Sequence, residues 1–177
     1  FFDHPSSFHG LACYHLDTKS RLFLTKFHEN ANPNDVALDA AGNAYVTDVA
    51  NDVILKISPS GESSVFSQSP LFTSQPVVAI DPPTARCGLN GIAITGHGGN
   101  HLLVVQTKSG KLFRVGLHDA EVRVVDMEKP LVAADGLAAR RDGLLVVVST
   151  DVLWVVKSRD HWRSAYVVEE VALNRSL

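Results

Sequence analysis

Leu89-Asn90-Gly91-Ile92-Ala93 has two counterparts in the same chain, Asn34-Asp35-Val36-Ala37-Leu38 upstream and Asp135-Gly136-Leu137-Ala138-Ala139 downstream. Each sets an Asn or Asp before an Asp or Gly, then an aliphatic residue, then Ala. The sequence beyond each one repeats as well. A short turn containing Gly leads into Ala44-Tyr45-Val46-Thr47, Leu102-Leu103-Val104-Val105 and Leu144-Leu145-Val146-Val147. A second apolar run follows each time, at Val53-Ile54-Leu55-Lys56-Ile57, Leu112-Phe113-Arg114-Val115 and Val152-Leu153-Trp154-Val155-Val156. The leading polar residues, at positions 34, 90 and 135, lie 56 and 45 positions apart. Repeats of roughly 40 to 50 residues built from short strands are the mark of propeller blades.

Working outward from these anchors divides the whole chain. Residues 34–67 read as a blade with strands at 35–39, 44–49, 53–58 and 63–67. Residues 90–127 read as a second, with strands at 91–95, 102–107, 111–116 and 122–126. Residues 135–171 read as a third, with strands at 136–140, 144–150, 152–158 and 164–171. Residues 1–30 supply two strand runs, 11–16 and 21–25, joined by Asp17-Thr18-Lys19-Ser20. No Asn-x-aliphatic-Ala stretch precedes them, so they read as the outer strands of a further blade. Residues 68–88 break the spacing and carry Pro70, Pro76, Pro82 and Pro83, which excludes a central strand or a helix interior. This insertion ends beside Asn90 and is expected to arch over the face on which Asn90 lies. No helix is expected anywhere.

The expectation is therefore an all-β protein, a β-propeller of four-stranded antiparallel blades, of which this chain holds about three and a half. Closed propellers have roughly four to eight blades, and an open ring leaves sheet edges uncovered. The chain also begins Phe1-Phe2-Asp3, without an initiator Met or a signal pattern. A portion of a longer ring, six-bladed when complete, is expected.

Composition narrows the function. At 177 residues, 45% hydrophobic and 20% charged, the chain reads as a globular domain. Its net charge of −3 leaves no broad basic field for nucleic acid or acidic lipid. No run of 18 apolar residues is present to span a membrane. Cys13 and Cys87 either pair across blades or stay free and buried.

The innermost strand of a propeller blade lines the central channel. Asn34, Asn90 and Asp135 all stand where that strand begins, and so are expected to converge at one mouth of the channel. Two amide oxygens and a carboxylate are hard donors suited to Ca²⁺ and lack the nitrogen and sulfur atoms that zinc prefers. Asn, Asp and Gly before a strand are also ordinary turn residues; the metal reading rests on their recurrence at three equivalent places.

Other clusters carry less. His97 and His101 in His97-Gly98-Gly99-Asn100-His101 are four apart but in a Gly-rich loop rather than on a helix face, and at the mouth opposite Asn90. His4, His9, His15, His28, His118 and His161 are scattered. Ser149-Thr150 lacks a nucleophile elbow. Trp154 and Trp162 read as packing between blades.

The three anchor stretches, with Arg21-Leu22-Phe23-Leu24, Gly42-Asn43-Ala44-Tyr45-Val46-Thr47 and Cys87-Gly88-Leu89-Asn90-Gly91, resemble the gluconolactonase / senescence-marker-protein superfamily of six-bladed, calcium-dependent propellers. The texture is most similar to its plant, phosphotriesterase-like branch. That resemblance implies a calcium-dependent hydrolase of lactones or phosphotriester-type esters, with a small-molecule substrate and Asn34, Asn90 and Asp135 at the metal. It implies that Asn34 meets substrate more than metal in the gluconolactonase branch, and that Asp135 is a metal ligand and the candidate catalytic nucleophile. It further implies a glutamate ligand from a preceding blade and a His from later ones, neither within this chain. The plant relatives lean the location toward the secretory, endomembrane system. Two other readings stay open: a non-catalytic propeller serving as a protein-interaction platform, and a strictosidine-synthase-like enzyme that works without metal.

Overall fold

A computed structural model describes residues 8–78, 87–95 and 99–173. His4, Pro82, Pro83, His97 and Gly98, all singled out above, lie outside the described residues. Fifteen strands and one short helix follow one another in the described chain. β1 (Gly10–Tyr14) and β2 (Arg21–Lys26) form a two-stranded antiparallel sheet. β3 (Pro33–Leu38), β4 (Ala44–Asp48), β5 (Val53–Ile57) and β6 (Ser63–Ser67) form a four-stranded meander in sequence order. β7 (Leu89–Ile94), β8 (His101–Gln106), β9 (Lys111–Gly116) and β10 (Val122–Val124) repeat it. β12 (Gly136–Ala139), β13 (Leu145–Val148), β14 (Val152–Lys157) and β15 (Ser164–Ala172) repeat it again. Three consecutive antiparallel four-stranded sheets, preceded by a two-stranded one, are the blades of a β-propeller.

The blades pack face to face, and the pattern of burial follows from this. In β8 the alternation of sides sends Leu102 and Val104 into a core shared with the preceding blade, beside Tyr45, Ile54 and Phe113. Leu103 and Val105 go to the opposite face, into a core shared with the next blade, beside Leu145, Val147 and Trp154. Both faces are dry, so the strand is apolar along its length rather than alternating, as expected for a strand covered on both sides. A third cluster, Ala44, Val46 and Ile57 with Leu11 and Phe23, joins the two-stranded sheet to the first full blade. Two strands cover that face only partly, leaving Leu38 exposed.

Two features differ from the reading of the sequence. The outermost strand of the second blade, expected at 122–126, ends at Val124. Val125 turns inward, fully buried, with its N–H donating to Leu112 O, and β11 (Asp126–Met127) crosses over to pair in parallel with β15. The edge strand of the third blade is thereby capped by residues of the second, which blunts an open edge and ties the two blades at their rims. The second difference is a helix, α1 (Pro70–Thr73), where none was expected. Pro70 occupies its first turn, where a missing N–H is no loss, and Ser69 caps it by accepting from Leu71 N. The helix delivers Phe72, fully buried, onto Phe113 with ring centroids 5.1 Å apart in an edge-on contact.

Cys13 and Cys87 are half-buried and no disulfide joins them; the expected full burial is not met. No described helix is long and apolar enough to cross a membrane.

The interblade cores predict a sharp contrast between two truncations. Phe113→Ala empties a fully buried position and is expected to cost about 3–5 kcal/mol in denaturant unfolding. Val65→Ala, more than half exposed, is expected to stay within about 0.5 kcal/mol.

Candidate functional site

The start of each inner strand carries the same irregularity. Pairing of β3 with β4 passes from Pro33↔Asp48 to Val36↔Val46, so Asn34 and Asp35 together face Thr47 alone. Pairing of β7 with β8 passes from Leu89↔Gln106 to Ile92↔Val104, so Asn90 and Gly91 face Val105 alone. In the third blade Asp135 N–H donates to Val148 O at 2.8 Å while Gly136 pairs with that same Val148. An extra residue in one strand of an antiparallel pair is a β-bulge, a device that re-aims side chains beside functional sites. The residue re-aimed is each time the Asn or Asp singled out by the repeat.

Adjacent bulges are bonded to one another across the gap between blades. Thr47 Oγ1 donates to Asn90 O at 2.6 Å, and Asp35 Oδ2 accepts from Ile92 N at 3.0 Å. Gly91 N–H donates to Asp135 O at 2.7 Å, and Thr107 Oγ1 donates to Ala134 O at 2.8 Å. The structure thus brings the starts of three inner strands side by side at one end of the channel. Gly91 has to be glycine: a Cβ there would stand 2.5 Å from Asp135 O and 2.7 Å from Leu137 N.

The three residues differ in their surroundings. Asn34 and Asp135 are exposed, and Asn90 is 5% exposed. The Asn90 amide is oriented by its neighbour. Thr107 has one hydroxyl proton, used on Ala134 O, so its oxygen can only accept, and it accepts from Asn90 Nδ2 at 2.9 Å. That leaves Asn90 Oδ1 buried with no hydrogen-bond partner among the described residues, alone in this respect among their side chains. Leaving such an acceptor unmatched costs about 1–3 kcal/mol. No group of three or more His, Cys, Asp or Glu side chains placed to hold a metal occurs among the described residues. A cation at this mouth would rely on the amide oxygens and the carboxylate of Asp135, the Asp35 carboxylate beside them being taken up by Val36 N and Ile92 N.

Sequence reasoning passed over the residues that hold this rim in place. Asp52, buried in the β4–β5 turn, accepts from Leu89 N and Gln106 Nε2, both at 2.9 Å, and pairs with Lys108. It reaches Leu89 because residue 88 is glycine; a Cβ on Gly88 would fall 2.2 Å from Asp52 Oδ1. Gln106 extends the tie to α1 by donating to Phe72 O at 2.6 Å. The available signal was the glycine immediately before the second anchor stretch, matched by a carboxylate in the turn of the preceding blade.

At the opposite mouth lie Thr95, Asn100 and the β12–β13 and β14–β15 turns. His101 lies there, half-buried, its pKa lowered by burial first and by the charge of Arg114 second. In the β14–β15 turn, Asp160 accepts from Ser164 N, Ser164 Oγ, Ser158 Oγ and Arg163 N. These bonds, the Ser164 N–H foremost, hold its carboxyl at about 2.

No family model and no curated protein sequence matches the chain. Solved structures do. A virginiamycin B lyase from Staphylococcus aureus superposes with a TM-score of 0.67 at 15% identity, over 94% of this chain and 50% of that one. A Bacteroides uniformis protein provisionally described as a 6-phosphogluconolactonase gives 0.62 at 15%, over 92% and 48%. The Malassezia sympodialis allergen Mala s 1 gives 0.60 at 18%, over 80% and 41%. The chain spans about half the length of these structures.

Two tests follow from this geometry. Thr47→Val removes the Asn90 tether, and Gly91→Ala forces the second and third blades apart; each is expected to lower stability, the first by about 1–3 kcal/mol. In acid, the Asp160 bonds are present above the ordinary carboxylate pKa of 3.8 and lost as pH falls through about 2. Amide exchange at Arg163 and Ser164 is expected to quicken over that window, relative to other amides. At identities this low the likeness establishes architecture, and the chain is a run of consecutive blades of a β-propeller.

Proposed function

We propose that this propeller is a calcium-dependent hydrolase of small lactones or phosphotriester-type esters, with the metal at the mouth where β3, β7 and β12 begin. The observation that carries the reading is Asn90 Oδ1, a buried amide oxygen whose orientation is dictated by Thr107 and which no donor among the described residues meets. A hard cation supplies what that oxygen lacks, and the donors at hand, two amides and a carboxylate, are of the type Ca²⁺ takes. Asn90 would be the central ligand, Asp135 the charged one, and Asn34 a ligand or a contact to substrate. Bound there, Ca²⁺ would act as a Lewis acid on a carbonyl or phosphoryl oxygen.

The remaining work falls to the chain's own residues. The bulges and cross-blade bonds hold the backbone of the three residues on adjoining strands. Asp135 is exposed at the mouth, open either to attack the carbon or phosphorus, displacing the ester or lactone oxygen as an alcohol and leaving an intermediate that water hydrolyses, or to orient a water molecule that displaces that oxygen directly. The β-propeller architecture shared with a provisionally described lactonase supports the reaction class. A second reading, a non-catalytic interaction platform, draws its support from the rim's donor set, in which no three described His, Cys, Asp or Glu side chains are grouped to hold a metal.

Calorimetric titration of the intact protein with Ca²⁺ decides between them. The expected result is one site per chain, abolished in Asn90→Ala and weakened at least tenfold in Asp135→Asn, with lactone or phosphotriester turnover following occupancy. Folded protein that takes up no Ca²⁺ would overturn the hydrolase reading and leave the platform.

A further inference from the structure

The mouth opposite the Asn90 rim holds a cleft of about 450 Å³ between the second and third blades. That volume suits a small organic ligand. The described residues that line it include four basic side chains, His101, Arg140, Arg159 and His161, together with the indole of Trp162. No described residue lining it is acidic, although the chain as a whole is net negative.

Two of the carboxylates close by are bonded to their own loops, and a third, Asp142, pairs with Arg140. Asp160 is turned into its own loop by the four bonds described above. Asp119 Oδ1 accepts from Glu121 N, and its charge is still felt at His101. Asp142 holds Arg140 through Nη2 at 2.7 Å, leaving that guanidinium's other N–H donors open. Arg159 is steadied over the Tyr166 ring, 5.3 Å from its centroid. The two cations are therefore positioned rather than free.

The wall formed by the β14–β15 turn is strained. His161 and Trp162 are consecutive non-glycine residues in the left-handed region, with φ of 59° and 64°. Such backbone is costly and persists only where its surroundings impose it. Here Trp162 N–H donates to Ser158 Oγ at 2.8 Å and Arg114 Nη1 donates to His161 O at 2.9 Å. The outcome of that strain is that an imidazole and an indole both line the cleft.

We infer that this cleft is a binding site for a small organic anion, a carboxylate or phosphate monoester carried on a flat apolar body. The anionic head is held between Arg140 and Arg159, and the body lies against Trp162 and Leu144. The site is separate from the Asn90 rim, at the other end of the channel, and does not depend on the function proposed for that rim.

Calorimetry on the intact protein with phenyl phosphate, benzoate, inorganic phosphate and benzyl alcohol tests the inference. Phenyl phosphate and benzoate are expected to bind at one site per chain, more tightly than either inorganic phosphate or the neutral alcohol. Arg140→Gln and Arg159→Gln should each weaken phenyl phosphate by about tenfold. Trp162→Leu should erase its advantage over inorganic phosphate. Arg123→Gln, an exposed residue paired with Glu121 on an outer strand, should change nothing, and near-ultraviolet circular dichroism verifies that each variant is folded. Benzyl alcohol binding as tightly as phenyl phosphate, the double arginine variant binding as wild type does, or no saturable binding to folded wild-type protein would each overturn it.

Discussion

What holds this molecule in register is a row of bonds that belong to no sheet. Each blade satisfies its own backbone through antiparallel ladders, and those ladders say nothing about where the next blade sits. That decision falls to Thr47 on Asn90 O, Asp35 on Ile92 N, Gly91 on Asp135 O and Thr107 on Ala134 O. The first three are made at bulges, where an extra residue frees backbone groups from the ladder, and the fourth lies just outside one. The irregularity that presents Asn34, Asn90 and Asp135 is thus the same one that locks the blades together. Stability and candidate chemistry draw on a single set of backbone distortions.

The apolar cores work differently. They are non-directional, and would tolerate some sliding of one sheet over another. Directional hydrogen bonds at the channel end remove that freedom, while β11 clasps β15 at the outer rim. Asp52 adds a third constraint, a buried carboxylate matched by Leu89 N, Gln106 and Lys108. A buried charge is tolerable only with such partners, so the turn of one blade and the insertion of the next are committed to each other.

Much of the fold could be read from residues alone. Repeated anchors at 34, 90 and 135 place the inner strands, and Gly-bearing turns mark the hairpins, because these signals are local. What was misread was also local in sequence but decided at a distance. Val122–Asp126 looks like one strand by pattern; it divides because Val125 finds a core position and Asp126 finds Arg163 O. Pro70 argues against a helix interior and is nonetheless compatible with a helix start.

The sequence by itself determined the repeat, the all-β class, the order of strands and the equivalence of the three polar anchors, since period and turn chemistry are properties of neighbouring residues. It could not determine that Asn34 and Asp135 would be exposed while Asn90 is buried, or that Thr107 would leave Asn90 Oδ1 unmatched. Nor could it assemble His101, Arg140, Arg159 and Trp162 into one cleft. Those outcomes depend on which blade lies against which, and contacts between residues tens of positions apart exist only once the blades have packed.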